Sequence, residues 1–301
     1  MSSEAASESG HVLVGHIASL HCYPIKSCTA ISSDAASITQ LGLKISDITD
    51  RHFMVVKENG DFITQRQKAR MASIRTAVEE GELVLQSDFM KTSCRVPLKP
   101  AAEKEKIKSC RVWKDRLDSL DCGEAVSTWL SECVGEPGLR LVATLPEMKK
   151  RPISHSNTLP QDELAYHDDG PLLVTNTASL KDLKSKIPGS EEITMTNFRP
   201  NIVIETISKE PWEEDRWTSL FIGDSKNVQL KVLFPCGRCL FTTIDPKKCE
   251  RRSDGEPLKT LKTFRVFPEI DKTSPMFGVY GGVRSEGIVK VGDPVFAIKA
   301  V

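Results

Sequence analysis

The residue types able to do chemistry are one presented thiol and four cations. Phe234-Pro235-Cys236-Gly237-Arg238-Cys239 places Cys239 beyond a Pro/Gly turn, with Arg238 just before it and the run Leu240 to Ile244 after it. A neighbouring guanidinium favours the thiolate, and a soft metal takes sulfur in that form, so Cys239 is the candidate reactive or ligating atom. Lys26, Arg51, Arg199 and Arg238 each fall at an expected strand end. Four fixed cations with one thiolate suit a phosphorylated ligand whose metal binds sulfur.

Other readings of the C-x-x-C stretch stay open at this point. Structural zinc wants four ligands at short spacings, whereas Cys249 lies ten residues beyond Cys239 with no histidine near. A thioredoxin-type pair puts its second cysteine in a helix, and Leu240 to Ile244 reads as strand. A plain buried core cysteine accounts for Cys236 better than for Cys239, which follows Gly237-Arg238.

The 301 residues carry 41 Lys and Arg against 41 Asp and Glu, so bulk attraction to nucleic acid or anionic membrane is excluded. Any anion must be held by a local cluster. An apolar share of 39% is enough for one large or two moderate cores. Nine scattered cysteines do not form a secreted disulfide framework and imply a reducing compartment. Residues 1–11 read as a polar, disordered leader, and no apolar run reaches the ~20 residues of a membrane span. Motifs for nucleotide hydrolysis, Rossmann cofactors, zincins and serine hydrolases are absent.

Most expected elements are strands. Val12 to Cys22 is the first, and Tyr23-Pro24-Ile25-Lys26-Ser27-Cys28 turns out of it, placing Lys26 and Ser27 on a strand-end loop. Arg51 to Val56 and Phe62 to Arg66 flank Asn59-Gly60, a hairpin signal. Gly81 to Gln86, Ser93 to Leu98 and Ser109 to Leu117 follow. A helix capped by Asp121, with Ala125, Val126, Trp129, Leu130 and Cys133 on one face, ends at Gly135. Leu139 to Asn157, with Lys149-Lys150-Arg151-Pro152, reads as a solvated connector, dividing 12–138 from 139–301.

Beyond it, Asp168, Asp169 and Gly170 form a polar turn before Leu172, and either cap that turn or face a ligand. His167 reads as structural. A second helix starts at Asn176 or Thr177. Arg199, held extended by Pro200, is a candidate rigid anion ligand. Closely spaced strands then run to Val295–Ile298, which points to a β-barrel or strongly curved sheet. For Lys26, Arg199 and the Asp50-Arg51 pair, the plain alternative is a solvated surface charge.

Taken in order, Tyr23-Pro24-Ile25-Lys26-Ser27-Cys28, Asp50-Arg51, Thr64-Gln65-Arg66, Asn197-Phe198-Arg199-Pro200-Asn201, Gly237-Arg238-Cys239 with Thr242-Thr243-Ile244-Asp245-Pro246, and Val291-Gly292-Asp293-Pro294-Val295 resemble the MOSC proteins. Among them the chain is most similar to the mitochondrial amidoxime reducing component family, from about Val12 to the C-terminus. The resemblance implies an α+β, mainly β fold, with a MOSC N-terminal β-barrel-like domain before a MOSC domain. It implies molybdenum cofactor (Mo-molybdopterin) bound between them, with Cys239 as metal ligand. Lys26, Ser27, Arg51 and Arg199 would contact its phosphate and pterin. Asp168, Asp169, Gly170, Gly237, Arg238 and Tyr280 would line the same pocket, with Asp168 as proton relay.

The implied reaction is reductive removal of oxygen from amidoximes, hydroxylamines and N-hydroxylated bases, with electrons from cytochrome b5 and NADH cytochrome b5 reductase. A cofactor carrier without turnover, as in the C-terminal part of molybdenum-cofactor sulfurases, is the alternative. The polar leader reads as cytoplasmic. The family's usual setting is the mitochondrial outer membrane, reached through a targeting segment this sequence does not show. Gly237 stands where the family commonly has serine, and His52 where it has an aromatic residue.

Overall fold

Val14, Ile17, Leu20 and Cys22 point inward from the strand Val12–Cys22, and irregularities near Leu13/Gly15 and Ile17/Ser19 keep that set on the core side. In the computed structural model, which describes residues 10–300 except 102, 154 and 156, this strand closes a ring. It pairs with Ile202–Thr206 on one side and Pro294–Lys299 on the other. Leu172–Asn176, Met276–Ser285, Val228–Gly237 and Trp217–Ile222 complete a seven-stranded barrel. Closure leaves no ring edge unpaired. Gly15 is needed there, because a Cβ would sit 2.2 Å from the Glu205 carbonyl oxygen.

One neighbouring pair in the ring is parallel, Leu172–Asn176 with Ile202–Thr206. A parallel pair needs a crossover, and the helix Thr177–Ser185 supplies it. The Asn176 side chain caps that helix by accepting from the Ala178 amide.

The first half contributes smaller sheets. Ile107–Val112, Asp115–Asp121, Arg140–Ala143 and Phe53–Val56 form one, and Arg75–Glu79, Glu82–Gln86 and Cys94–Pro97 another. A third joins Ala35–Thr39, Gly42–Ile45 and Ile48–Thr49 to Gly287–Lys290 from the far end of the chain. The fold is α+β and mainly β, and a continuous hydrophobic core runs from Val14 through Trp129 to Val295. The halves interlock in space: Val12–Cys22 lies in the ring built by the second half, and Arg140–Ala143 lies on Phe53–Val56.

Several local expectations change. Most of the leader, residues 1–9, lies outside the described residues. The expected strand at Leu240 to Ile244 is a 3-10 turn, Leu240–Thr243, with only Ile244–Asp245 extended. Thr242 Oγ1 donates to the Cys239 carbonyl and Thr243 Oγ1 to that of Leu240, so local bonds outcompete a ladder. Arg199 is not extended: its φ is +56°. The helix Glu124–Val134 has Gly123 as its N-cap residue; Asp121 instead pairs with Arg140 and Lys108, and Ala125 is exposed. Ser109 to Leu117 is the core of a two-strand hairpin turning at Trp113-Lys114.

The basic connector is not solvated. Lys150 donates to the carbonyls of Leu145 and Met148. Arg151 binds Asp115 and the His167 and Asp168 carbonyls. Loop carbonyls that water cannot reach need such donors, which outweighs the usual preference of lysine and arginine for solvent.

Candidate active site

Ring closure brings loops from both halves to one open cleft with an empty volume of about 1020 Å³, counted out to bulk solvent. Lys26, Ser27, Arg51, Asp168, Asp169, Gly170, Arg199, Gly237, Arg238, Cys239 and Tyr280 all line it. Three of them, Ser27, Arg51 and Arg199, hold positive φ values of 67°, 48° and 56°. Such backbone costs roughly 1–3 kcal/mol per residue and persists where the surroundings over-determine it, which happens mostly at functional sites.

The Asp50-Arg51 pair is buried. The Asp50 carboxylate accepts from Arg51 Nη1 and, at 2.7 Å, from the Tyr23 amide, while His167 Nε2 lies 3.3 Å away. The ring of Tyr23 carries two guanidinium groups, Arg51 at 4.5 Å and Arg199 at 4.1 Å from its centroid. Tyr23 thereby gives two repelling cations a shared seat. Lys26 Nζ, also buried, donates 2.8 Å to the Tyr166 carbonyl and 2.6 Å to Asp168 Oδ1.

Arg199 is the cation left over. Its Nη1 donates to the Cys28 carbonyl at 2.6 Å, but Nη2 is removed from solvent with no partner. Among the described residues no carboxylate pairs with it. Burial first, then the field of Arg51, bring its pKa down to about 10. A half-buried guanidinium with a sealed, unpartnered Nη2 is costly unless an anion is added.

On the sulfur side, Cys239 is exposed to the cleft and Cys236 is buried. Arg238 does not attend the thiol. Its Nε and Nη2 donate to the Phe277 carbonyl and its Nη1 to that of Phe198. The cation at the sulfur is Arg66, whose Nη1 lies 3.8 Å from Cys239 Sγ. Gly170 leaves room for a neighbour: a Cβ there would sit 2.5 Å from Tyr280 Cδ1. Among the described residues no group of three or more His, Cys, Asp or Glu could hold a metal ion, so a metal at Cys239 would draw its other ligands from a bound molecule.

The two acids differ. Burial alone would raise the Asp168 carboxyl, but Lys26, with Arg51 and Arg199 behind it, holds it well below the usual carboxylate range. Asp169 is raised, by burial and then by the charge on Asp168. Before any ligand is bound, Asp168 is an ion-pair partner rather than a proton donor, and Asp169 retains a proton more readily.

Residues 14–137 match the MOSC N-terminal beta barrel domain and residues 161–296 the MOSC domain. Mitochondrial amidoxime-reducing component 1 of Danio rerio is 36% identical over 288 residues, covering 95% of this chain and 85% of that protein. The chain belongs to the mitochondrial amidoxime-reducing component family of MOSC proteins. Component 1 of Homo sapiens is 35% identical over 95% of this chain and 83% of its own length, and component 2 of Bos taurus 36% over 94% and 83%. The names of these relatives are those of amidoxime-reducing components. Among the described residues no helix is long and apolar enough to cross a membrane.

Sequence reasoning gave no site role to Arg66, Tyr23 and Trp113. The first two lie inside the motif stretches Thr64-Gln65-Arg66 and Tyr23-Pro24-Ile25-Lys26-Ser27, which could have flagged them. Trp113 carries no motif, and only the hairpin turn puts it at the cleft mouth.

Proposed function

We propose that this family member is a molybdenum-cofactor-dependent reductase of N-hydroxylated compounds, fed by cytochrome b5 and NADH cytochrome b5 reductase. The observation that carries the reading is the unpaired Arg199 Nη2 in the same cleft as the exposed Cys239 thiol. The residues fit the cofactor: its phosphate supplies the missing anion for Arg199, flanked by Arg51 and Lys26, and Cys239 supplies a soft ligand. When bound, the cofactor would supply the two-electron redox chemistry.

The chain's own residues bind and orient. Lys26, Ser27, Arg51 and Arg199 would hold the phosphate and pterin, Gly170 and Tyr280 shape the wall, and Arg238 fixes the strand end before Cys239 by tying it to the Phe198 and Phe277 carbonyls. For an amidoxime the balance is cleavage of the N–O bond with two electrons and two protons, giving an amidine and water. The electrons come from NADH through cytochrome b5. Asp168 and Asp169 both line the cleft, and Asp169, whose carboxyl pKa is raised by burial, is the candidate proton donor of the two.

We assign 12–138 and 139–301 as the two sequence domains, and mitochondrial association, which the relatives' names carry, belongs to the same proposal. Molybdenum-loaded protein with cytochrome b5, its reductase and NADH is expected to convert benzamidoxime to benzamidine with matching NADH oxidation. Loaded protein that oxidises no NADH with any of an amidoxime, a hydroxylamine and an N-hydroxylated base would instead favour a cofactor carrier.

A further inference from the structure

Trp113 sits at the tip of the hairpin between Ile107–Val112 and Asp115–Asp121, where only Trp113 and Lys114 connect the paired residues Val112 and Asp115. Its φ is +55°, a conformation that two-residue hairpin turns normally assign to Asn, Asp or Gly. A bulky residue there is a backbone outlier costing on the order of 1 kcal/mol or more. The indole is only partly buried in return, since the residue stays 38% exposed. Neither turn chemistry nor core packing explains a tryptophan at this position.

Its surroundings point to a ligand. Trp113 lines the cleft that also holds Cys239. Arg66 joins the two, with its guanidinium carbon 4.9 Å from the indole centroid and its Nη1 3.8 Å from the sulfur. Phe62 packs edge-on at 5.1 Å and Lys26 Nζ lies 5.7 Å from the ring, so the indole orientation is fixed from inside. A held, part-exposed aromatic surface within one side chain of the reacting centre is a stacking platform.

We propose that Trp113 is a specificity-determining residue that favours planar, conjugated N-hydroxylated substrates, arylamidoximes and N-hydroxylated bases, over small aliphatic ones. This rests on the reductase reading above and adds the substrate class. The substrate's ring lies against the indole, and the N–O group is directed past Arg66 toward the sulfur side of the cleft. Arg66 thereby serves both sides, backing the platform and bounding the reacting centre.

Benzamidoxime and acetamidoxime separate the idea from a general structural role. In reconstituted, molybdenum-loaded protein the ratio of kcat/KM for the aryl over the methyl substrate is expected to fall about tenfold in Trp113→Ala, chiefly through KM, with Trp113→Phe recovering most of it. Equal losses on both substrates, or a fall confined to kcat, would overturn the proposal. Calorimetric binding of both compounds to the loaded protein keeps the test independent of turnover. Tighter aryl binding that disappears in Trp113→Ala supports the platform even if nothing is reduced. Wild-type protein that reduces both compounds but binds them equally sinks the platform and leaves the reductase standing.

Discussion

Lys26 Nζ lies 2.6 Å from Asp168 Oδ1, joining the two halves of the chain across the cleft between positions 142 apart in sequence. The pair is unequal, with a buried ammonium and a carboxylate whose side chain is 47% exposed. Burial lowers the Lys26 pKa more than Asp168 raises it, whereas the carboxylate is strongly favoured as an ion. Asp168→Asn strands a buried ammonium, and the half-exposed site tempers the cost to about 1–3 kcal/mol. Urea unfolding measures it; an unchanged midpoint would mean that water already serves Lys26.

Cys239→Ala removes an exposed side chain and no core packing, so the melting temperature is expected to stay within a degree or two while bound molybdenum falls from about one per chain to near zero. Elemental analysis of purified protein decides this. Zinc in place of molybdenum would end the cofactor reading.

His52 is packed edge-on against Phe53 at 4.6 Å, and burial depresses its pKa from 6.5 to about 4. Between those values the unfolded chain binds a proton that the folded protein refuses. Stability is therefore full above about pH 6.5 and falls as the pH drops toward 4, by on the order of 3 kcal/mol. Buried His167, also lowered, adds to the same slope. The Asp168 carboxylate enters only below its ordinary range near 3.8, where acid begins to remove its stabilising charge. His52→Phe is expected to flatten the fall in melting temperature between pH 7 and 5; an unaltered slope would move the effect elsewhere.

Arg238 satisfies the Phe277 carbonyl twice and the Phe198 carbonyl once from a buried position. Arg238→Gln cannot span both, and leaving one buried carbonyl unpaired costs about 1–3 kcal/mol. Loss of stability comparable to a core truncation, read in the cofactor-free protein, separates this structural role from direct ligand binding. A stable variant that only binds cofactor poorly would reverse the assignment.

Gly237-Arg238-Cys239 announced a presented sulfur, and Lys26, Arg51 and Arg199 stood out as cations at element ends, because residue type and turn chemistry are local properties written in sequence. The strand Val12–Cys22 and the helix after Asn176 were legible for the same reason, through alternation and a capping side chain. Which cation meets the sulfur was not. Adjacency suggested Arg238, yet the Phe198 and Phe277 carbonyls claim that guanidinium and Arg66 arrives from a distant segment. Nor could sequence show that Asp50-Arg51 is buried, that Lys150 and Arg151 serve loop carbonyls, or that Trp113 reaches the cleft. Those outcomes depend on which backbone groups lose their water when the barrel closes, and that is settled only by contacts between residues far apart in the chain.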